Sequence, residues 1–585
     1  MQAKDIARQI KVALGQEKAD LALLHGNLVN VYTGEVLEDW SVAIKGQRIA
    51  FVGQDASHTI GEGTQVIDVR GKFLSPGLIE GHFHLDNTAL EEYALAAGAG
   101  GTTTIIAESL EMNNLLGYRG VLALLKTIHD QPISFFFTSP SPVVDPGAED
   151  VAITYKEIMR LLNKPQVVGV GEIMWPGLLE AREDQLEVLA HALRLGKTLE
   201  GHSSGAKNNK LVAYIAAGIS SCHEPITPQE VLDRLRLGIH VMLREGSIRR
   251  DLEVLSPLFK QGIDTRRLVL STDSIRPDDA VAYGHMDYLV RKAINLGCPP
   301  VAAIQMASLN IAEHFRLDHI IGGIAPGKQA DILVLPDLHN IRPELVISKG
   351  RIIAREGRAQ VEVRRPAYPA SLMRSIHLAR PLQAADFAVP HGKASGQVKV
   401  RVVNMMSDII TREAQEVLSV SGGEIQADRE RDIIKMAIIP RHPGAGKHAV
   451  GFVKGFGLKS GAVASSYCWM PRMPIICVGA DEADMALAVN RIRQLQGGYV
   501  IYDRGKLVAE LPLPVGGFWS QLSIPETAER HKLLEDELHQ RGCAREHPYL
   551  ALQTLPCTGM PYFRLMRDGL MLDVRAHQTL PLVVE

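Results

Sequence analysis

The sequence predicts an α/β protein: a (β/α)8 TIM-like barrel, flanked by a small β-sandwich unit built from both sides of it and followed by a C-terminal α/β domain. Three observations point there. Eight short apolar or β-rich runs alternate with helical segments between Gly77 and Thr272. Short β-branched runs broken by turn residues stand before that alternation, at 20–73, and return after it, at 321–363. A second change of composition begins at Val400, where new apolar runs are spaced by helical stretches. At 585 residues the chain is too long for one hydrophobic core, so several domains are expected.

Taken in order, "MQAKDIARQIKVALGQEKAD" is charged throughout and has no apolar core, so it reads as a short amphipathic helix and not as a signal peptide. With the strands that follow, it makes an N-terminal unit over 1–73. The barrel is expected over 74–320, with strands at Gly77–His84, Thr102–Ala107, Ile133–Thr138, Val167–Met174, Thr198–His202, Ile219–His223, His240–Leu243 and Arg267–Thr272. Residues 321–363 carry the returning strands of the β unit. The stretch 364–399, rich in Pro, Ala, Ser and His, reads as a connector, and 400–585 as the C-terminal domain.

Composition narrows the function. Hydrophobic residues make up 46% and charged residues 22%, with a formal net charge of −3 and no block of like charge, so neither nucleic acid nor a membrane is an implied partner. No apolar run is long enough to span a bilayer, and the six cysteines are scattered with no C-x-x-C pair. A soluble, cytoplasmic protein is expected.

The chemistry stands at the strand ends. Strand one ends in His82 and His84, strand four in Glu172, strand five in His202, strand six in His223, and Asp273 follows strand eight. Residues i and i+2 of a strand share a face, so His82 and His84 can meet one ion while Phe83 faces away. A single histidine at a strand end is more often structural. Four imidazoles and two carboxylates on the rim of one barrel are a ligand set for Zn²⁺, Mn²⁺ or Fe²⁺, with a central carboxylate that can bridge two ions.

The motifs "PGLIEGHFH", "GEIMWPG", "GHSSG", "SSCHE", "REGS" and "STD", in this order, resemble those of the bacterial adenine deaminases, a branch of the amidohydrolase superfamily. The likeness runs through "IAPGKQADILVL" and continues more weakly into the C-terminal domain; "GEIMWPGLL" and "AYIAAGISSCHE" point to the adenine deaminase branch. The resemblance implies that His82, His84 and Asp273 hold one metal and His202 and His223 a second, with Glu172 between them. It implies a hydroxide between the ions that attacks C6 of a bound purine, Asp273 passing the proton towards the leaving amine, and hypoxanthine and ammonia as products. Asp273 and Glu172 are thus the expected catalytic residues. A purine-like small molecule is the expected substrate, two divalent ions the cofactor, and a homo-oligomer the assembly.

The chain also departs from that pattern. Where relatives read His-x-His-x-Glu-Ser-Ser, it continues with Asp86, Asn87 and Thr88; where they read Asp-Pro-His-Glu, it has Glu108, Ser109, Leu110 and Glu111. Ser274 stands for a second aspartate, and "SSYCWMP" replaces a histidine-rich run in the C-terminal domain. The metal ligands match, whereas groups expected around the substrate have changed. Asp86, Glu108, Glu111, Glu224, Arg244 and Ser274 are the expected substrate-side residues. Glu224 also reads as a group that orients His223, and Arg244, Glu245 and Ser247 read equally well as a buried ion-pair cluster. His285 and Cys222 read as structural, and Asp278 and Asp279 as helix N-terminal charges. "PGAGK" at 443–447 lacks the spacing of a phosphate loop. The leading expectation is an aminohydrolase acting on adenine or a related aminopurine. The alternatives are a cyclic amidohydrolase of the dihydropyrimidinase type and a metal-binding relative without turnover.

Overall fold

The computed structural model describes residues 3–143, 153–442, 448–560, 562–574, 576 and 578–584. The "PGAGK" run lies outside the described residues.

Eight parallel strands form the barrel, in chain order Leu78–Phe83, Thr102–Ala107, Ser134–Ser139, Val167–Met174, Thr198–His202, Ser221–Cys222, His240–Arg244 and Leu268–Ser271. They pair as an arc of five and an arc of three. One seam closes where the His84 amide donates to the Asp273 carbonyl at 3.0 Å, the other where the Ser220 amide donates to the Leu199 carbonyl at 2.9 Å. The strands read as nearly continuous apolar runs because both faces are covered, lumen on one side and helices on the other. The lumen is filled by Ile79, Ile106, Val168, Met242 and Val269 and plugged from below by Ile311 and Phe315. With its floor closed by side chains, the barrel is open to chemistry at the C-terminal strand ends.

Local signals fix the surrounding helices. Thr154 caps helix Tyr155–Leu162 in a capping box with Glu157, and Thr227 caps Pro228–Arg236, which begins on proline. The sixth strand is shorter than expected, two residues in place of five, because the backbone leaves the ladder just before His223. The third is shifted by one residue to end at Ser139.

Strands before and after the barrel make one nine-stranded sheet. Its join is Phe73–Pro76, parallel to Leu21–Asn30 and antiparallel to Ile332–Leu335. Leu23, Leu28, Val42, Ile44, Ile332 and Ile347 form its core. Helix Ala3–Ala13 lies against this unit, sending only Val12 into a cluster with Ala19, Ala43 and Ala50.

The C-terminal region carries a second nine-stranded sheet, antiparallel at every junction except Ser395–Met405 with Ala449–Lys454. Its first strand starts at Ser395, inside the stretch read as a connector. That stretch is a strap. Arg365 pairs with Glu92 at 2.8 Å and the Tyr368 hydroxyl donates to Glu91 at 2.7 Å, tying it to the barrel helix Leu90–Ala99. The His377 amide donates to the Arg441 carbonyl at 2.6 Å, tying it to the sheet. The C-terminal region is thereby held over the barrel mouth.

Candidate metal centre and active site

The six residues at the strand ends converge. Glu172 Oε1 is the hub, 3.1 Å from His82 Nε2, 3.4 Å from His84 Nε2, 3.6 Å from His202 Nδ1 and 3.0 Å from His223 Nε2. Asp273 Oδ1 lies 3.3 Å from His82 Nε2 and 3.6 Å from His84 Nε2. Phe83 points away from the rim and packs on Tyr93, ring centroids 5.0 Å apart, as strand alternation requires. Asp273 sits in the left-handed region at φ 63°, an uncommon place for a side-chain-bearing residue and one that recurs at active sites.

These contacts have the character of a ligand cage. His82 Nε2 and His202 Nδ1 are buried and close no hydrogen bond of proper geometry, although carboxylate oxygens are near. Nitrogen and oxygen ligands about 2.1 Å from a tetrahedral ion stand roughly 3.4 Å from one another. The spacing here is 3.0–3.6 Å. Two groups of donor atoms are tight enough to surround a cation: His82, Glu172, His223 and Asp273, and His202, His223 and Glu224.

The charges hold one another. Burial works against ionising Glu172, yet the His202, His223 and His82 rings hold its carboxyl well below the usual range. Burial likewise opposes charge on Asp273, and His82, His223 and Arg244 outweigh it. Burial pulls the His82 imidazole down, but Asp273, Glu108 and Glu172 keep it well above the ordinary value. His223 goes the other way, lowered by burial and by His82, because the two rings stack with centroids 4.3 Å apart and cannot both be charged.

Around this cluster the substrate-side expectations divide. Asp86, Glu111, Glu224, Arg244 and Ser274 line a cavity of about 370 Å³ above it, and Leu110 is in the same wall. Burial pushes the Asp86 carboxyl up to about 7. Glu108 does not line the cavity; this corrects its expected substrate-side place. It lies inside the barrel beneath His82, 3.3 Å from Nδ1, with the Thr138 hydroxyl on its other oxygen at 2.6 Å. Gly171 makes this possible, since a Cβ there would come within 2.6 Å of Glu108 Oε1. Glu108 therefore orients a ring nitrogen opposite the one that faces the ligand cage.

Glu224 is nearer the cage than a purely orienting group, with Oε1 3.3 Å from His223 Nε2 and 3.8 Å from His202 Nδ1. Arg244 bonds Glu224 and lies 3.3 Å from Asp273 Oδ2 and 3.3 Å from Asp251 Oδ2, so it neutralises the carboxylates of one side. Glu245 turns outward to Lys292 at 2.6 Å, and Ser247 donates to Asp279 at 2.6 Å. Gly246 between them leaves no room for a side chain, a Cβ there falling 1.9 Å from the Thr272 carbonyl. Cys222 packs against the Ser203 hydroxyl at 2.9 Å and His285 against that of Thr102 at 3.1 Å.

Sequence reasoning missed two sets of residues. Glu80, fully buried, takes the His82 amide at 3.0 Å, the Thr272 amide at 2.9 Å and the Ser271 hydroxyl at 2.7 Å, and so clasps the first strand to the eighth. Its place two residues before His82 was the available signal. The roof of the cavity comes from the C-terminal region: Ile409 and Ile410, Tyr467–Met470, Met473, and Cys557–Met560. The segment "SSYCWMP" thus faces the cluster of histidines and carboxylates across the cavity, and no periodicity in the sequence announces it.

A parallel barrel with imidazoles and carboxylates gathered at its C-terminal rim defines the class, a metal-dependent amidohydrolase. The amidohydrolase family profile matches residues 73–353, and that of the adenine deaminase C-terminal domain matches 408–578. The adenine deaminase of Cenarchaeum symbiosum is 36% identical over 99% of this chain and 95% of its own. Those of Desulforamulus reducens and Moorella thermoacetica are each 37% identical, over 99% and 96% of this chain and 98% and 95% of theirs. The chain belongs to the adenine deaminase family. Among the described residues no helix is long and apolar enough to cross a membrane.

Proposed function

We propose that this chain hydrolyses the 6-amino group of adenine, or of a closely related aminopurine, to give the oxo-purine and ammonia. The observation that carries the proposal is the convergence of His82, His84, Glu172, His202, His223 and Asp273 beneath a roofed cavity of about 370 Å³, within the usual size of small-molecule sites.

His82, His84 and Asp273 would hold one divalent ion and His202 and His223 a second, with Glu172 Oε1 within 3.6 Å of all four histidines; Glu224 stands with His202 and His223 as a further candidate. Mn²⁺, Fe²⁺ and Zn²⁺ suit such donors. Bound there, a divalent ion acts as a Lewis acid and lowers the pKa of a water from 15.7 to about 7. The remaining work falls to the chain. Asp273, steadied through Oδ2 by Arg244 and with Oδ1 beside His82, would take a proton from the attacking water and deliver it to the departing amine. Glu108 and Glu111 fix the orientation of the His82 and His84 rings through their Nδ1 atoms. Trp469, Met470 and Met473 give the cavity an apolar roof, which would limit the access of bulk water.

The test is ammonia release from adenine, other aminopurines and pterins by enzyme reconstituted with Mn²⁺ or Fe²⁺. Release from adenine is expected. No ammonia from any of them would overturn the proposal, and a ring-opened acid from a dihydropyrimidine would replace it with the cyclic amidohydrolase reading.

A further inference from the structure

We infer that Glu111 and Asn113, on the first turn of helix Leu110–Thr127, read the imidazole N–H edge of the bound heterocycle and restrict the site to bases that carry that hydrogen; the inference rests on the purine reading above.

Both residues are more than nine-tenths buried, 6% and 7% exposed, and both line the cavity. Glu111 is already half used: Oε1 takes the hydrogen on His84 Nδ1 at 2.8 Å, which leaves the other ring nitrogen free to face Glu172 and Asp273. Its second oxygen, Oε2, is buried with no hydrogen-bond partner, and so is Asn113 Oδ1. Buried polar atoms in a cavity wall with nothing to bond are the groups a ligand is expected to satisfy.

Among the described residues, no other carboxylate lining the cavity has a buried oxygen without a partner. Glu172 and Glu224 face histidines, Asp273 faces His82 and Arg244, Glu108 is taken by His82 and Thr138, and Asp86 accepts the Asn87 amide. Leu110, next to Glu111 and also in the wall, has no polar atom to offer. With Oε1 accepting from His84 Nδ1, Oε2 is the oxygen left to accept, and it is matched by an N–H from the ligand. The Asn113 amide offers a donor beside its acceptor, and which of its two ends faces the cavity follows from what it binds. A carboxylate beside an amide therefore matches an imidazole N–H next to a ring nitrogen lone pair. A ligand alkylated at that nitrogen loses the hydrogen and leaves Oε2 unsatisfied. Sites built to bond an N–H or O–H reject analogues lacking it by up to about 10⁴–10⁵-fold.

Binding of purine, 7-methylpurine and 9-methylpurine to the Mn²⁺-loaded full chain, read by titration calorimetry, tests this. None of these bases has an amino group, so the readout does not depend on turnover. The wild type should bind purine at least about 100-fold more tightly than either methylated base. E111Q should cut that ratio below about tenfold at unchanged metal content, and N113A should reduce it less. A wild type that does not discriminate, or an E111Q that keeps full metal and the full ratio, overturns the inference. If E111Q loses metal through His84, N113A decides, and an unchanged ratio there overturns it as well. Failure to release ammonia from adenine would sink the deaminase reading and leave this ratio to stand or fall separately.

Discussion

The rim of the barrel and the roof above it face each other across one cavity and are built by different means. The rim presents its groups from strand ends, and its charges are paired side chain to side chain: Glu172 among four imidazoles, Asp273 between His82 and Arg244. The roof presents its groups from loops, and buried guanidinium groups hold those loops by their backbone. Arg441 is fully buried, and among the described residues no carboxylate pairs with it. It donates to the Met473 carbonyl at 2.5 Å, to the Gly516 carbonyl at 2.8 Å and to the Ser466 carbonyl. Arg564 donates to the Cys557 carbonyl at 2.8 Å and the Ile409 carbonyl at 3.0 Å, so it grips two other roof segments. Burial draws both guanidinium groups down to about 10. The difference separates two kinds of damage. Removing a rim group exposes its partners' charge and destroys the cage; removing a roof anchor leaves the cage intact and lets the cover go slack.

The largest effect that sharpens this contrast is Glu172→Gln. It removes the hub charge from four imidazoles, and we expect metal content to fall together with adenine turnover. The loss should exceed the roughly 10–100-fold typical of groups that only orient ligands. Metal analysis beside ammonia release checks it.

Next comes Arg441→Met, which orphans three buried carbonyls at about 1–3 kcal/mol each. Melting temperature should drop and KM for adenine rise more than kcat falls, with metal content unchanged. Loss of metal in this variant would erase the proposed division between rim and roof.

A smaller change is expected from Gly171→Ala, whose new Cβ would meet Glu108 Oε1 at 2.6 Å and push it from His82 Nδ1. Metal affinity should weaken by about 10–100-fold, as for other groups that set the orientation of a ligand histidine. A metal-binding titration measures it.

The effect that is smallest at neutral pH is a pH dependence within the C-terminal region. His531 is buried with neither ring nitrogen bonded, edge-to-face with Tyr549 at 4.7 Å between ring centroids, and burial lowers it to about 3. The folded chain thus keeps His531 neutral while the unfolded chain takes up a proton near 6.5. Its penalty is absent above pH 6.5 and grows as pH falls towards 3, by at most about 1.4 kcal/mol per pH unit. His531→Leu should flatten the acid side of the stability–pH curve. An unchanged slope in denaturant melts between pH 7 and 4 would contradict it.

The same division explains what the sequence made legible. His82, His84, Glu172, His202, His223 and Asp273 could be found because a strand end is a fixed address: each follows an apolar run, and eight such runs in alternation specify a ring. Glu108 stands at a strand end too, but its direction depended on Gly171 in a different strand, a spatial relation the sequence does not display. The roof was illegible for a related reason. Tyr467, Trp469 and Cys557 lie far from the barrel in the chain, and what brings them over it is backbone bonding to Arg441 and Arg564, which leaves no periodic trace. The departures at Leu110 and "SSYCWMP" were visible as departures. Only the fold places both in the wall of one cavity, beside the cluster of His82, His84, Glu172, His202, His223 and Asp273 and not within it.

The most direct test of the central claim is a titration of chelator-treated enzyme with Mn²⁺, following ammonia release from adenine at each addition. No release is expected from the metal-free protein, and ammonia release should rise with added metal and level near two equivalents. Enzyme that takes up the ions and still leaves adenine unchanged at every loading would contradict it.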